Sequence, residues 1–235
     1  MNVVISQSML FPWVGMLEQI KLADVFIHLD DVPLSLSART RRVQVKTARG
    51  FSWMTIPLLN FHRGQEIQDV KIDPEGSWKA KHFSLLNESF KGSPYRDEAI
   101  SLVADLYGED IDNIGDLARE SMTRLAGYFD IFNSTKFFHA RELETAGTKS
   151  ERLMNLVKAV NGKIYLTGLG ALKYLDESIF RDEGIEVRYM DYQKCPYPQN
   201  FGSFNPFVSS LDLVANCGKA GADYICSNAV NKKDM

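Results

Sequence analysis

Residues 3 to 31, VVISQSMLFPWVGMLEQIKLADVFIHLDD, limit the fold more than any other stretch of the chain. Val3 to Ser6 is a short β-branched run of the kind found in central strands. Trp13, Met16, Leu17 and Ile20 recur at i, i+3, i+4 and i+7, which is one face of a helix. Asp24 ends that pattern, and Val25 to Leu29 reads as a second buried strand. A strand, helix and strand joined by short links form a βαβ unit, which requires parallel pairing and a right-handed crossover. The chain therefore reads as an α/β protein with a parallel sheet.

The middle of the chain changes character. RRVQVKT alternates, and FSWMTIPLL and EIQDVKID follow with turn signals between them. These predict a small antiparallel insertion over roughly residues 41–73. Residues 78–132 read as helical, with segments starting near Ser77, Arg96 and Asp112 and breaks at Gly92, Pro94 and Gly108. Thr148 and Glu151 have capping-box spacing before a helix whose apolar face is Leu153, Leu156, Val157 and Val160. KIYLTG then predicts a strand, GALKYLDESIFRDEG a helix and IEVRYMDY a strand, a second βαβ unit. Residues 193 to 207 read as a long ordered loop, and SSLDLVANCG as a last helix ending on glycine. The expectation is one α/β domain over residues 1–228 and a frayed tail over 229–235.

Composition narrows the function. With 235 residues, 45% hydrophobic and 24% charged, the chain has the makeup of an ordinary globular domain. A net charge of -3 and no polybasic run make nucleic acid a poor partner. No apolar run reaches the roughly 18 residues of a membrane span, and no secretory leader is read, so a cytoplasmic location is expected. Three cysteines without a CxxC pair argue against a disulfide framework and a structural zinc. The four histidines have no ligand spacing, so no metal is expected. The sequence leaves cofactor identity and homo-oligomerisation open.

Ligands of open α/β sheets bind at the carboxyl ends of the strands, often at a helix start. Gln7 and the turn through Gly15 fall there, although no GxGxxG or GxxxxGK[ST] supports a dinucleotide or P-loop site. Asp30 and Asp31 end the second strand, and neighbouring strand residues point in opposite directions. One acid could face a cleft as base or hydroxyl acceptor; turn chemistry before Pro33 is the plainer account. Arg39, Arg41 and Arg42 could grip a phosphate, with Arg39 and Arg41 on one face at strand spacing, or line a solvated edge. His82 shares a helix face with Trp78 and is a candidate base or a packed core histidine. Gly168 sits between a strand and a helix, open to close approach. Tyr197, Gln199 and Asp212 supply polar groups among aromatic residues, as a small-molecule pocket needs. Asp212 on an apolar helix is the least expected of these.

With these residues in place, the chain resembles the WbqC-like protein family. The resemblance rests on ISQSMLFPWVG, ADVFIHLDDV, the arginines at 39–42, WMTIPL, WKAKHF, SERLMNLVKAV, IYLTGLGALKYLDESIF and YPQNFGSFNPFVSSLDLVANCG, in order from residue 3 to about 218. The family begins its first motif with Gln-Pro, whereas Gln7 is followed here by Ser8. The resemblance implies a role beside bacterial surface-polysaccharide (O-antigen) genes and transfer of an acyl group, glycine for one, to an amino sugar. A deeper likeness runs to nucleotidyltransferase-like, Rossmann-like α/β enzymes. PWVGM occupies the place of their Pro-His-x-Gly-His element, with Trp13 and Met16 where the histidines would stand. Methionine has no hydrogen-bond donor and tryptophan only one, so adenylation by this loop is disfavoured.

The resulting expectation is an acyl- or glycyl-transferase acting on a nucleotide-linked amino sugar with an acyl or aminoacyl donor. His82 or Asp31 would be the base, with Asp212 also catalytic. Gln7, Gly15, Asp30, Arg41, Trp78, Gly168, Tyr197 and Gln199 would bind substrate. A non-catalytic nucleotide-sugar-binding or scaffold protein and an ATP-dependent carboxylate-amine ligase are the alternatives.

Overall fold

A computed structural model describes residues 1–132 and 135–234. The strands, in chain order, are β1 (Asn2–Ser6), β2 (Val25–His28), β3 (Arg42–Thr47), β4 (Gly50–Thr55), β5 (Lys136–His139), β6 (Ile164–Thr167), β7 (Glu186–Asp191) and β8 (Asn228–Val230). The α-helices are α1 (Val14–Leu22), α2 (Trp78–Ser89), α3 (Arg96–Tyr107), α4 (Ile114–Tyr128), α5 (Lys149–Ala159), α6 (Glu177–Asp182) and α7 (Leu211–Cys217). Six strands make one sheet in the order β5-β2-β1-β6-β7-β8, and β3 and β4 form a separate hairpin. All pairs in the large sheet are parallel except β7 with β8. The α/β architecture and the small antiparallel insertion read from the sequence are both present.

The chain builds outward from β1 to β2 and β5 on one side, and from β6 to β7 on the other. The direction of winding therefore reverses between β1 and β6, where the carboxyl ends of a doubly wound sheet leave a crevice. Strand alternation sorts the core into two layers. Val4, Phe26, Leu166 and Met190 face α1, α3, α4 and α7. Val3, Ile5, Val25, Ile27, Tyr165 and Val187 face α5 and α6. Each such fully buried side chain contributes roughly 1.5–3 kcal/mol.

Several local expectations change. Lys136–His139, unread as a strand, pairs with β2 and extends the sheet. Residues 67–73 do not continue the antiparallel sheet: Ile67–Asp69 is a 3-10 turn, and isolated bridges tie Leu58 to Ile72 and Lys71 to Asn113. GALKYLDESIFRDEG splits into a 3-10 turn (Leu169–Lys173) and the short α6, capped by the Asp176 side chain. Thr148 does cap α5 by position but makes no side-chain cap bond. The expected fray after Asn228 gives way to β8, because the open edge of β7 accepts an antiparallel partner. Met235, the end of that expected tail, lies outside the described residues.

Candidate functional site

The tips of β1 and β2 carry a charged network. Asp30 is 2% exposed. One carboxylate oxygen accepts the Ser8 backbone N–H at 3.0 Å. The other accepts the Ser8 hydroxyl and Arg119 Nη1, each at 2.6 Å. Ser8 Oγ also lies 2.9 Å from His28 Nδ1. A hydroxyl has one proton, and giving it to the carboxylate leaves a lone pair for His28 Nδ1–H. Burial first, then Arg119 and His139, lower the His28 pKa to about 3, so the ring is neutral. Proline in place of Ser8 would supply neither donor to Asp30. β2 ends at His28, so both acids lie just past the strand; Asp31, in the bend, points away from Asp30 and pairs with Arg152 of α5. These bonds join both helix layers to the strand tips, and Asp30 meets its charge and hydrogen-bond demands within the protein.

His82, also read as a base, lies elsewhere. It sits on α2 behind the hairpin, with Nε2 donating to the Thr55 carbonyl at 3.1 Å and Nδ1 accepting from the Tyr107 hydroxyl at 2.9 Å. Both ring nitrogens are engaged, and burial lowers its pKa to about 4. Trp78 packs edge-on to His82 and Tyr107 and donates to the Asp73 carbonyl. The pair is a packed aromatic cluster.

The loop after β1 forms one wall of a cleft. Trp13 folds over the start of α1, and a Cβ added to Gly15 would fall 2.2 Å from the indole. Gly15 therefore gives its space to Trp13. The indole also packs on Tyr192 (4.9 Å between centroids) and Phe207 (5.7 Å). Met16 is buried in the core. Trp13 and Met16 are thus both committed to packing. Across the winding reversal, Gly168 lies beside the Tyr192 hydroxyl, which accepts from Gln19 at 2.7 Å.

Two cavities open between this loop, β3 and residues 192–210. One of about 260 Å³ is lined by Leu10, Pro12, Trp13, Arg39, Val43 and Phe207, among others. The other, about 570 Å³, includes Lys46, Phe51, Phe201, Phe204, Asn205 and Phe207. Phe207 lines both. Arg39 lies in a turn, so strand spacing does not apply; Arg39 and Arg42, not Arg41, share the Trp53 ring, at 4.6 and 4.1 Å. Buried Nη1 of Arg39 has no hydrogen-bond partner.

Lys46 is the group that sequence reading missed. It is 4% exposed. Its Nζ donates to Gln199 Oε1 at 2.9 Å and to the Ser203 carbonyl at 2.7 Å. Burial lowers its pKa, and Asp212 partly restores it. Burial raises Asp212 to about 6, against the pull of Tyr197, Lys46, Gln199 and Asn216. Asp212 Oδ1 is buried without a hydrogen-bond partner. Gln199 is held on both sides, accepting from and donating to the backbone of Asn205. Tyr197, Gln199 and Asp212 are thus brought together with Lys46, behind the wall of the larger cavity; neither those three nor Gln7, Gly15, Asp30, Asp31, Trp78, His82 and Gly168 line either cavity. Lys46 occupies the outward phase of an alternating strand, and residues some 150 positions away cover it, so no local pattern marks it. His28 and Asp30, at i and i+2, did share a visible face.

The fold and cleft define a doubly wound α/β protein with an aromatic, cation-lined pocket beside its first βα loop. The chain belongs to the WbqC-like protein family, whose profile matches residues 7–224. It is 32% identical over 229 residues to an uncharacterized protein of Mycobacterium tuberculosis, covering 95% of this chain and 97% of that one. No solved structure matches the chain. Among the described residues, no helix is long and apolar enough to cross a membrane.

Proposed function

We propose that this protein transfers an acyl or aminoacyl group to the amine of a nucleotide-linked amino sugar in surface-polysaccharide synthesis. The observation that carries this reading is Lys46, a buried amine on an open aromatic groove with a buried carboxyl behind it. Burial favours loss of the Lys46 proton, and in that form the amine spends two N–H bonds on Gln199 and Ser203 and keeps a lone pair. That lone pair takes a proton from the substrate amine as its nitrogen attacks the acyl carbonyl. The C–N bond forms, the bond from the carbonyl to the leaving group breaks, and Lys46 returns the proton to that group. Asp212 positions Lys46 electrostatically. Arg39, on the wall of the smaller cavity, holds the substrate diphosphate. Arg41, the earlier candidate, lines neither cavity.

The test incubates the protein with nucleotide-linked amino sugars and acyl thioesters or aminoacyl donors, and follows amide product by mass spectrometry. Lys46→Met is expected to lower kcat about a hundredfold or more, whereas Arg39→Met raises KM. A full-rate Lys46→Met variant overturns the assignment. The second reading, binding without turnover, is favoured by Trp13 across the start of α1. Thermal stabilisation by a nucleotide sugar with no product from any donor would select it. An ATP-dependent ligase would release AMP or ADP only when both carboxylate and amine are present.

A further inference from the structure

The β7–β8 ladder pairs Asp191 with Asn228 and runs the two segments past each other. Just beyond it, the Gln193 N–H donates to Ser227 Oγ at 2.9 Å, and the Ser227 N–H to Glu18 of α1 at 3.3 Å. These bonds fix both segments, and between them Cys195 Sγ and Cys226 Sγ stand 2.6 Å apart. Cys226 is exposed and Cys195 partly so, which leaves the pair open to small reagents. Two thiols alone do not supply the four ligands of a structural zinc. Thirty-one positions separate them in sequence, which is why no CxxC spacing announces the pair.

We infer that Cys195 and Cys226 are an oxidisable dithiol whose disulfide staples the cleft loop to the C-terminal segment. Burial and the neighbouring Cys195 raise the Cys226 thiol pKa to about 11, so with a small-molecule disulfide as oxidant, the minor thiolate fraction of this more exposed residue attacks one sulfur and expels the first small thiolate. The Cys195 thiolate then attacks Cys226 Sγ in that mixed disulfide and expels the second. Two protein thiols lose their protons and two electrons, and one small disulfide becomes two thiols. The bond closes residues 195–226, a loop containing the aromatic wall at 201–207 and α7 with Asp212. Cys217, on α7, takes no part.

The full chain is equilibrated with oxidised glutathione or with dithiothreitol, then denatured, and its thiols are counted by maleimide mass tagging. The reduced chain should show three thiols and the oxidised chain one, with Tm higher by about 5 °C or more in the oxidised form. Trypsin leaves Cys195 and Cys217 on one peptide, so the position is read in Cys217→Ser, which should pass from two thiols to none. Three thiols surviving oxidation would overturn the inference. So would a lasting glutathione adduct on Cys226, a bond to Cys217, or a bond formed only between chains.

Discussion

At the scale of single residues, two buried histidines set how the protein meets acid. The folded pKa of His28 is about 3 and that of His82 about 4, both below the ordinary 6.5. Between those values and 6.5 the unfolded chain binds protons that the folded chain does not, so stability falls as pH falls. Asp212 acts oppositely. Its carboxyl is raised from 3.8 to about 6, so the folded chain binds the extra proton in that window, and acid relieves its burial. The imidazoles move further than the carboxyl, and the net effect is destabilisation from pH 6.5 down to 4. His82→Phe should cost about 2–4 kcal/mol at pH 7, since it strands the Tyr107 hydroxyl and the Thr55 carbonyl. It should also flatten the fall in stability between pH 6.5 and 4, measured by urea denaturation across that range. An unchanged slope would assign the acid sensitivity to other groups. Asp212→Asn should steepen the same fall, because it removes the opposing titration.

At the scale of elements, the start of α1 is shaped by one aromatic side chain. Trp13 lies where its ring needs a residue without a Cβ, and Gly15 provides it. Gly15→Ala should push the indole off Tyr192 and Phe207 and cost about 1–3 kcal/mol, the usual range for overpacking. The checks are urea denaturation and a shift in tryptophan emission; an unshifted spectrum with full stability would mean that the loop relaxes freely. The elements themselves were readable where side-chain periodicity was local. The β1–α1–β2 unit, the helices starting near residues 77, 96 and 112, and the strands KIYLTG and IEVRYMDY follow from period-2 and period-3.6 patterns. β5 and β8 were not readable, because each is a three- or four-residue edge segment stabilised by a partner strand far away in sequence. The same limit applies to the site. Tyr197, Gln199 and Asp212 stood out as polar groups in an aromatic stretch, but Lys46 is buried only by tertiary cover. His82 looked catalytic because its helix face was visible and its hydrogen-bond partners were not.

At the scale of the whole molecule, the doubly wound sheet holds its strand tips together through charge as well as apolar packing. Asp30 receives Ser8 from the β1 loop and Arg119 from α4, and its own carbonyl accepts the Gln68 N–H. Asp31 reaches α5 through Arg152. Adjacent residues thus tie the opposite helix layers to one strand end. Removing one partner of a buried ion pair leaves an uncompensated charge, whereas removing both does not. Arg119→Met should therefore cost about 3–5 kcal/mol; freeing Asp116, the other partner of Arg119, adds little because its side chain is 54% exposed. Asp30→Leu with Arg119→Met should recover a substantial part of that loss, and urea denaturation of the full cycle measures the coupling. The same cycle separates an architectural from a ligand-binding Asp30. An acid that served substrate would let Asp30→Asn keep its stability within about 0.5 kcal/mol while nucleotide-sugar binding disappeared. If the proposed function holds, the reverse is expected: a destabilised fold whose remaining native fraction still binds, because the carboxylate faces Ser8 and Arg119 and the proposed cleft is built around Lys46 and Arg39.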